Sequence, residues 1–443
     1  MAEETTRSQP HRKILLIIIA VLILVVIVAA GIYALSGSSR LNRQLADLRS
    51  RGLPTNGEEL NAYYAVPSDV SDTTELWTAA TRAIANANIN SRVQGIPIIG
   101  QGPTPVPPPG EEWAELEVSR AFLKDLDNEM QLITRAAEAG GMARYPVDFT
   151  AGYSAILTAQ QETRTLARLL TLNAHVHAHD GLRSETLKDV TAIFAVSDSL
   201  RGESILISQL LRIAIHAMGC ELTADMLPHC KWNDAELEDL QIAISLANFR
   251  SEMQTAFQGE LAMCLDAIDG FPPPQILFRD ANKSKAIHLL AESAEGLETS
   301  WLEALSRCQK VDSELKAMSA NTFSRMTCIS ASLILPALQQ EINSGIRADA
   351  RQNCCIAVIA AQRYRLQHGM LPKTLADLND FIPDEDPSKS TRLIDPFDEQ
   401  PLRFKASGDS VIIYSIGDNR VDNGGDVENE RPLDGDHGYS ISE

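Results

Sequence analysis

Residues 345–369, GIRADARQNCCIAVIAAQRYRLQHG, form the stretch on which the fold of this 443-residue chain turns. Ile346, Ala350, Cys354, Ala357, Ala361 and Tyr364 recur at three- and four-residue intervals, so they line one face of a helix running to about His368. The face is built mainly of small residues and suits close packing against a sheet. Gly369 supplies a left-handed C-cap, and Leu371-Pro372 prevents continuation. Lys373 or Thr374 then opens a short helix, TLADL, that ends before Pro383. After a polar loop come Asp395-Pro396-Phe397-Asp398 and two β-rich runs, residues 402–405 and 411–416, joined by Ala406-Ser407-Gly408-Asp409. The order is long helix, short helix, hairpin, acidic loop.

Upstream, residues 111–343 carry a helical pattern almost throughout. Leu206, Leu210, Ile213 and Ala217 share one helix face, as do Met253, Phe257, Leu261, Cys264 and Ile268. Between them, Asn233 and Glu236 make a capping box, and Trp232 is placed to staple onto Leu237, so the preceding helix should stop near Leu227-Pro228. Punctuation at Gly140-Gly141, Asp180-Gly181, residues 270–274 and Pro336 divides the region into helices joined by short turns, a bundle of helical hairpins. Thr73 or Thr74 caps a helix reaching about Ala87. Residues 95–110, GIPIIGQGPTPVPPPG, cannot be helical because their prolines remove donors and fix φ; they read as a semi-rigid connector.

The N-terminal region is of another kind. Residues 14–35, ILLIIIAVLILVVIVAAGIYAL, contain no charged side chain. At about 1.5 Å per residue this run reaches about 33 Å, enough for a hydrocarbon core of about 30 Å. It reads as an uncleaved transmembrane helix, since a signal-peptide core has only about 7–15 apolar residues. Arg7, Arg12 and Lys13 precede it and Arg40, Arg43, Arg49 and Arg51 follow it, so flanking charge is near balance; we expect the N-terminus inside and the bulk outside. The expected divisions are a cytoplasmic tail 1–13, a membrane helix 14–35, a stem and connector 36–110, an α-helical domain 111–343 and an α+β domain 344–443.

Composition narrows function. Asp and Glu outnumber Lys and Arg by 59 to 39, a net charge of −20, which argues against a nucleic-acid partner because phosphate binding needs a basic face. Seven cysteines, an odd number scattered on apolar faces, do not look like a disulfide framework. No nucleophile elbow, phosphate loop, HExxH or Rossmann glycine pattern occurs. Two constellations remain. His175 and His179 share a helix face, the geometry of a two-imidazole metal site; alternatively the cluster at a helix C-terminus complements exposed carbonyls. His216, Cys220, His229 and Cys230 offer soft ligands at a spacing that fits no zinc module, with buried side chains or a Cys220–Cys230 disulfide as the other readings.

YRLQHGMLPKTLADL, then DPFDEQPLRF, then SVIIYSIGDNRVDNGGD resembles the globular head of type II secretion major pseudopilins over about 80 of the 443 residues. The whole chain is also similar to membrane-anchored proteins of planctomycete-type bacteria that carry this tail, a likeness that names no activity. The resemblance implies a long helix on a small antiparallel sheet, and a calcium ion in the acidic loop. Asp422 and Asp426 would be its main ligands, with Asp418, Asn419 and the Ile416 carbonyl behind them. An Asp/Asn/Gly turn without an ion is the alternative. The chain departs from pseudopilins in three ways. Its apolar run lies three hundred residues from the head, contains no glutamate, and lacks a peptidase motif. The expected fold is therefore mainly α, with a transmembrane helix, a helical body and a small pseudopilin-like α+β head. The expected function is non-enzymatic: a single-pass anchored envelope protein making protein contacts beside a secretion or pilus-like apparatus. The alternatives are a helical binding module for lipid or peptide and a metal-dependent enzyme using the His/Cys clusters.

Overall fold

The computed structural model describes residues 9–154, 158–270, 278–319, 329–384, 392–427 and 435–442. It is mainly helical, with one three-stranded antiparallel sheet near the C-terminus. The helices are α1 (Gln9–Ser50), α2 (Gly57–Tyr63), α3 (Thr74–Asn86), α4 (Leu116–Lys124), α5 (Asp127–Ala139), α6 (Thr158–His179), α7 (Arg183–Asp198) and α8 (Leu206–Cys230). They continue with α9 (Asp234–Ser245), α10 (Phe249–Asp269), α11 (Arg279–Thr299), α12 (Trp301–Ser319) and α13 (Ile329–His368). The strands are β1 (Arg403–Ser407), β2 (Ser410–Ser415) and β3 (His437–Ser442), in the order β1-β2-β3.

α13 is the spine. Its turns from Leu338 to Ala350 pack into an apolar core with α10, α11 and α12, together with Leu41 and Leu48 of α1. Its turns from Cys354 to Ala361 enter a second core with α3 and α5–α9, and with Val411, Ile413 and Ile441 of the sheet. Residues 352–363 are buried on every side, not on one face only. The small-residue face fits the sheet while Ile356, Val358 and Ile359 fill the remaining circumference, the pattern of a helix inside a core rather than upon it. Polar residues on the same helix grip the surrounding loops. Gln352 donates to the Ile244 carbonyl (2.7 Å), and Arg363 reaches Asp234 (2.8 Å) and Gln241 (2.9 Å).

Several expectations are corrected. The boundary at 343/344 falls inside the 40-residue α13, and that helix also runs through position 336. α8 continues past Pro228 to Cys230, where Lys231 (φ +49°) ends it. A proline this close to the end removes one hydrogen bond, while buried Met226, Leu227 and Cys230 hold the turn in the core. The capping box of Asn233 and Glu236 is formed, and Trp232 is buried with its Nε1 donating to the Arg183 carbonyl (3.1 Å). The proline-rich segment is not a spacer. Ile96 is buried and its carbonyl accepts from the amides of Gly100 and Gly102 (both 3.1 Å), folding the chain back on itself. β3 was not anticipated from the sequence.

α1 is continuous from the apolar run through the stem to Ser50. Among the described residues, no helix is long and apolar enough to cross a membrane. Most side chains of residues 22–35, however, lie outside the described residues. Those described at the start of the run, Ile14, Leu15, Ile17, Ile18, Ile19, Val21 and Leu24, are 43–62% exposed.

Candidate functional site

The acidic loop leaves β2 at Ile416, whose side chain is buried, and turns at Gly417 (φ +67°). A Cβ at Gly417 would stand 2.5 Å from the Gly435 carbonyl, so only glycine fits this close crossing. Asp418 is then claimed by two cationic or donor groups. Arg347 of α13 donates to one carboxylate oxygen (2.9 Å) and His437 Nε2 to the other (3.1 Å). Asn419 accepts from the Val421 amide (2.9 Å) and donates to Asn423 Oδ1 (3.0 Å). Asp422 accepts from the Tyr414 hydroxyl (3.0 Å) and the Gly424 amide (2.8 Å). Asp426 is exposed.

The loop closes around a carboxylate of its own. Buried Asp436 accepts from the amides of Asn423 (3.2 Å) and Gly425 (2.8 Å). Inward-pointing N–H groups make a nest for an anion, whereas calcium requires converging oxygens. In this arrangement Asp418, Asn419 and Asp422 each accept from internal donors, Asp426 lies exposed, and the amides of Asn423 and Gly425 point to Asp436. Among the described residues, no group of three or more His, Cys, Asp or Glu side chains is placed to hold a metal.

Beside this loop lies a hub built on Asp395. Asp395, fully buried, accepts from the amides of Phe397 (3.0 Å) and Ile416 (2.9 Å), from Ser415 Oγ (2.8 Å) and from Arg403 (3.3 Å). It locks the 395–398 turn to the end of β2. Burial holds its carboxyl above the usual range, against the pull of those hydrogen bonds.

On α6, His175 and His179 both pack against Trp113, with ring centroids 6.5 and 5.0 Å away, while His177 turns to Asp189. His175 is buried edge-on against Trp113, and burial pushes its pKa down to about 4, aided by His179. His177 pairs with Asp189 (2.7 Å), which raises its pKa, and His179 Nε2 donates to the Pro107 carbonyl (3.0 Å). Among the described residues no third His, Cys, Asp or Glu joins His175 and His179 as a metal ligand, and His179 bonds a loop carbonyl rather than one at the helix end. The backbone closes the helix itself, with the amides of Gly181 and Leu182 bonded to the carbonyls of Ala178 and His177.

The second constellation splits. His229 is exposed, and Cys220 and Cys230 are ten residues apart on one helix, about 15 Å, far beyond disulfide reach. His216 and Cys220 do meet: Cys220 Sγ lies 3.5 Å from His216 Nδ1, while the imidazole sits between Phe194 and Phe249 with centroids 5.1 and 5.0 Å away. The thiol partner of Cys220 is Cys355 of α13, whose Sγ lies 3.8 Å from the Cys220 carbonyl oxygen. Spacing could not reveal this pair, which is 135 residues apart. The described cysteines, Cys220, Cys230, Cys264, Cys308, Cys354 and Cys355, are buried free thiols; Cys328 lies outside the described residues.

One open cleft lies between α3, α5, α7 and α9, with about 810 Å³ of empty space. Trp77 and Phe194 line it with Ala136, Gly141 and Leu246, and Arg201 is its cation. Comparison with family models, with curated proteins and with solved structures gave no match.

Proposed function

We propose that the chain is a single-pass protein of a bacterial cytoplasmic membrane with a non-enzymatic, structural or interaction role. Residues 14–35 cross the bilayer with the N-terminus inside, and α2 to β3 stand on the extracytoplasmic side. The carrying observation is the contrast along α1. Its apolar side chains from Ile14 to Leu24 are exposed wherever they are described, whereas Leu41 and Leu48, further along the same helix, are buried in the α10–α13 core. Exposed Ile, Leu and Val in series are unfavourable in water and favourable in lipid, so the helix changes solvent between residues 24 and 41. The long helix on a three-stranded antiparallel sheet supports the pseudopilin-like reading of the head, and hence partners in a secretion or pilus-like apparatus. The head does not stand apart on a stalk, because α13 belongs to both cores.

Mild crosslinking in intact cells followed by detergent purification tests the role. The reading expects envelope components of such an apparatus on the crosslinked chain; only bulk membrane proteins, in proportion to their abundance, would contradict it. A second reading, a binding module for an apolar ligand, is favoured by the cleft at Trp77 and Phe194. It expects Trp77 fluorescence to change on titration with an apolar ligand, and Leu246→Glu to abolish the change.

A further inference from the structure

We propose that Cys220 and Cys355 are a disulfide-forming pair that ties α8 to α13 when the chain folds in an oxidising compartment. The proposal rests on the extracytoplasmic placement above only for where the oxidant is met. Both side chains are fully buried, on helices that pack directly together. Cys355 Sγ lies 3.8 Å from the Cys220 carbonyl oxygen, to which it donates, so its side chain already reaches the Cys220 residue. Closing the bridge takes rotation of the Cys355 side chain toward Cys220 Sγ. No other described cysteine competes. Cys354, next in sequence, directs its thiol to the His437 carbonyl (3.4 Å), Cys230 is three helical turns away, and Cys264 and Cys308 lie in the other core.

The two thiols are chemically unequal. His216 Nε2 is 3.2 Å from the Ile244 carbonyl, which can only accept, so Nε2 carries the proton and Nδ1 is free to accept from Cys220. Burial pushes the Cys220 thiol up, but the neighbouring Cys355, His216 and Arg351 outweigh it and lower its pKa overall. Burial and the neighbouring Cys220 sulfur push Cys355 the other way. Because His216 and Cys220 are one turn apart on α8, this thiol meets its base as soon as that helix forms, before α13 covers it.

The chemistry needs a disulfide oxidant, such as glutathione disulfide or an oxidoreductase disulfide. Cys220 passes its proton to His216 Nδ1 and attacks one oxidant sulfur, whose partner sulfur leaves as a thiolate and takes up a proton. Cys355, losing its own proton, then attacks Cys220 Sγ and releases the second oxidant thiol. The two cysteines give up two electrons, and one oxidant disulfide becomes two thiols.

The test uses the full chain in detergent, reduced, unfolded, and refolded in a glutathione redox buffer. Free thiols are then alkylated under denaturing conditions and the non-reduced peptides mapped by mass spectrometry. The expected result is one linked peptide pair joining Cys220 to Cys355, absent from Cys355→Ala. Refolded wild-type protein in which both thiols are alkylated, or in which Cys220 is bridged elsewhere, would overturn the proposal without requiring any variant to fold. The same map on protein acid-quenched directly from cell membranes separates the two readings. A pair that bridges in the redox buffer yet is reduced in the membrane keeps the pairing and contradicts the extracytoplasmic placement.

Discussion

Glu203 is fully buried, and this desolvation pushes its carboxyl up to about 7, against the Tyr64 hydroxyl that donates to it and the Arg144 guanidinium nearby. Its carboxyl is ordinarily half-protonated near 4.5, so the folded protein holds a proton that the unfolded chain has released between about 4.5 and 7. Stability from this group is therefore complete below the lower value and is lost as pH rises through the upper one. The loss is on the order of 3 kcal/mol by pH 8. Glu203→Gln should flatten that part of the profile and raise the unfolding midpoint at pH 8; an unchanged slope in urea unfolding across pH 5–8 would contradict the assignment. The acidic loop yields a second prediction. Since Arg347 and His437 already occupy both oxygens of Asp418, millimolar calcium should leave the thermal midpoint where it was. A calcium-dependent rise that Asp422→Ala removes would show that the loop rearranges around an ion.

Elements are held by close approaches as much as by apolar burial. A Cβ on Gly259 of α10 would clash with the Ser204 carbonyl oxygen, so that helix crosses the chain before α8 at backbone contact. Gly259→Ala should destabilise by about 1–3 kcal/mol, read as a lower denaturant midpoint at unchanged slope; a neutral result would show that the crossing relaxes freely. What the sequence revealed follows the range of each signal. The capping box at Asn233, the Gly369 stop and the turn at Gly408 (φ +59°) depend on neighbours within four residues and were legible. β3 was not, because HGYSIS contains a single fully buried apolar residue, Ile441, and owes its state to pairing with β2. The same limit hid the candidate site. Arg347 and Asp418 lie 71 residues apart, and the loop's real centre, Asp436, falls beyond the acidic run that drew attention.

At the scale of the molecule, one helix makes body and head a single folded unit. α13 contributes to both apolar cores, and its Arg363, Gln352 and Arg347 fasten α9, the 244–247 turn and the acidic loop. The sequence showed this helix clearly but assigned its two halves to separate domains, since long-range packing leaves no mark at the point where a boundary would fall. Anchored through α1, such a unit would present its surface as one rigid face, which is what an interaction role requires. The most direct test of that account is protease accessibility of the full chain in spheroplasts. The account predicts that external protease degrades everything beyond α1 and leaves a protected N-terminal fragment containing residues 14–35. A body that stays intact until the membrane is lysed would contradict it.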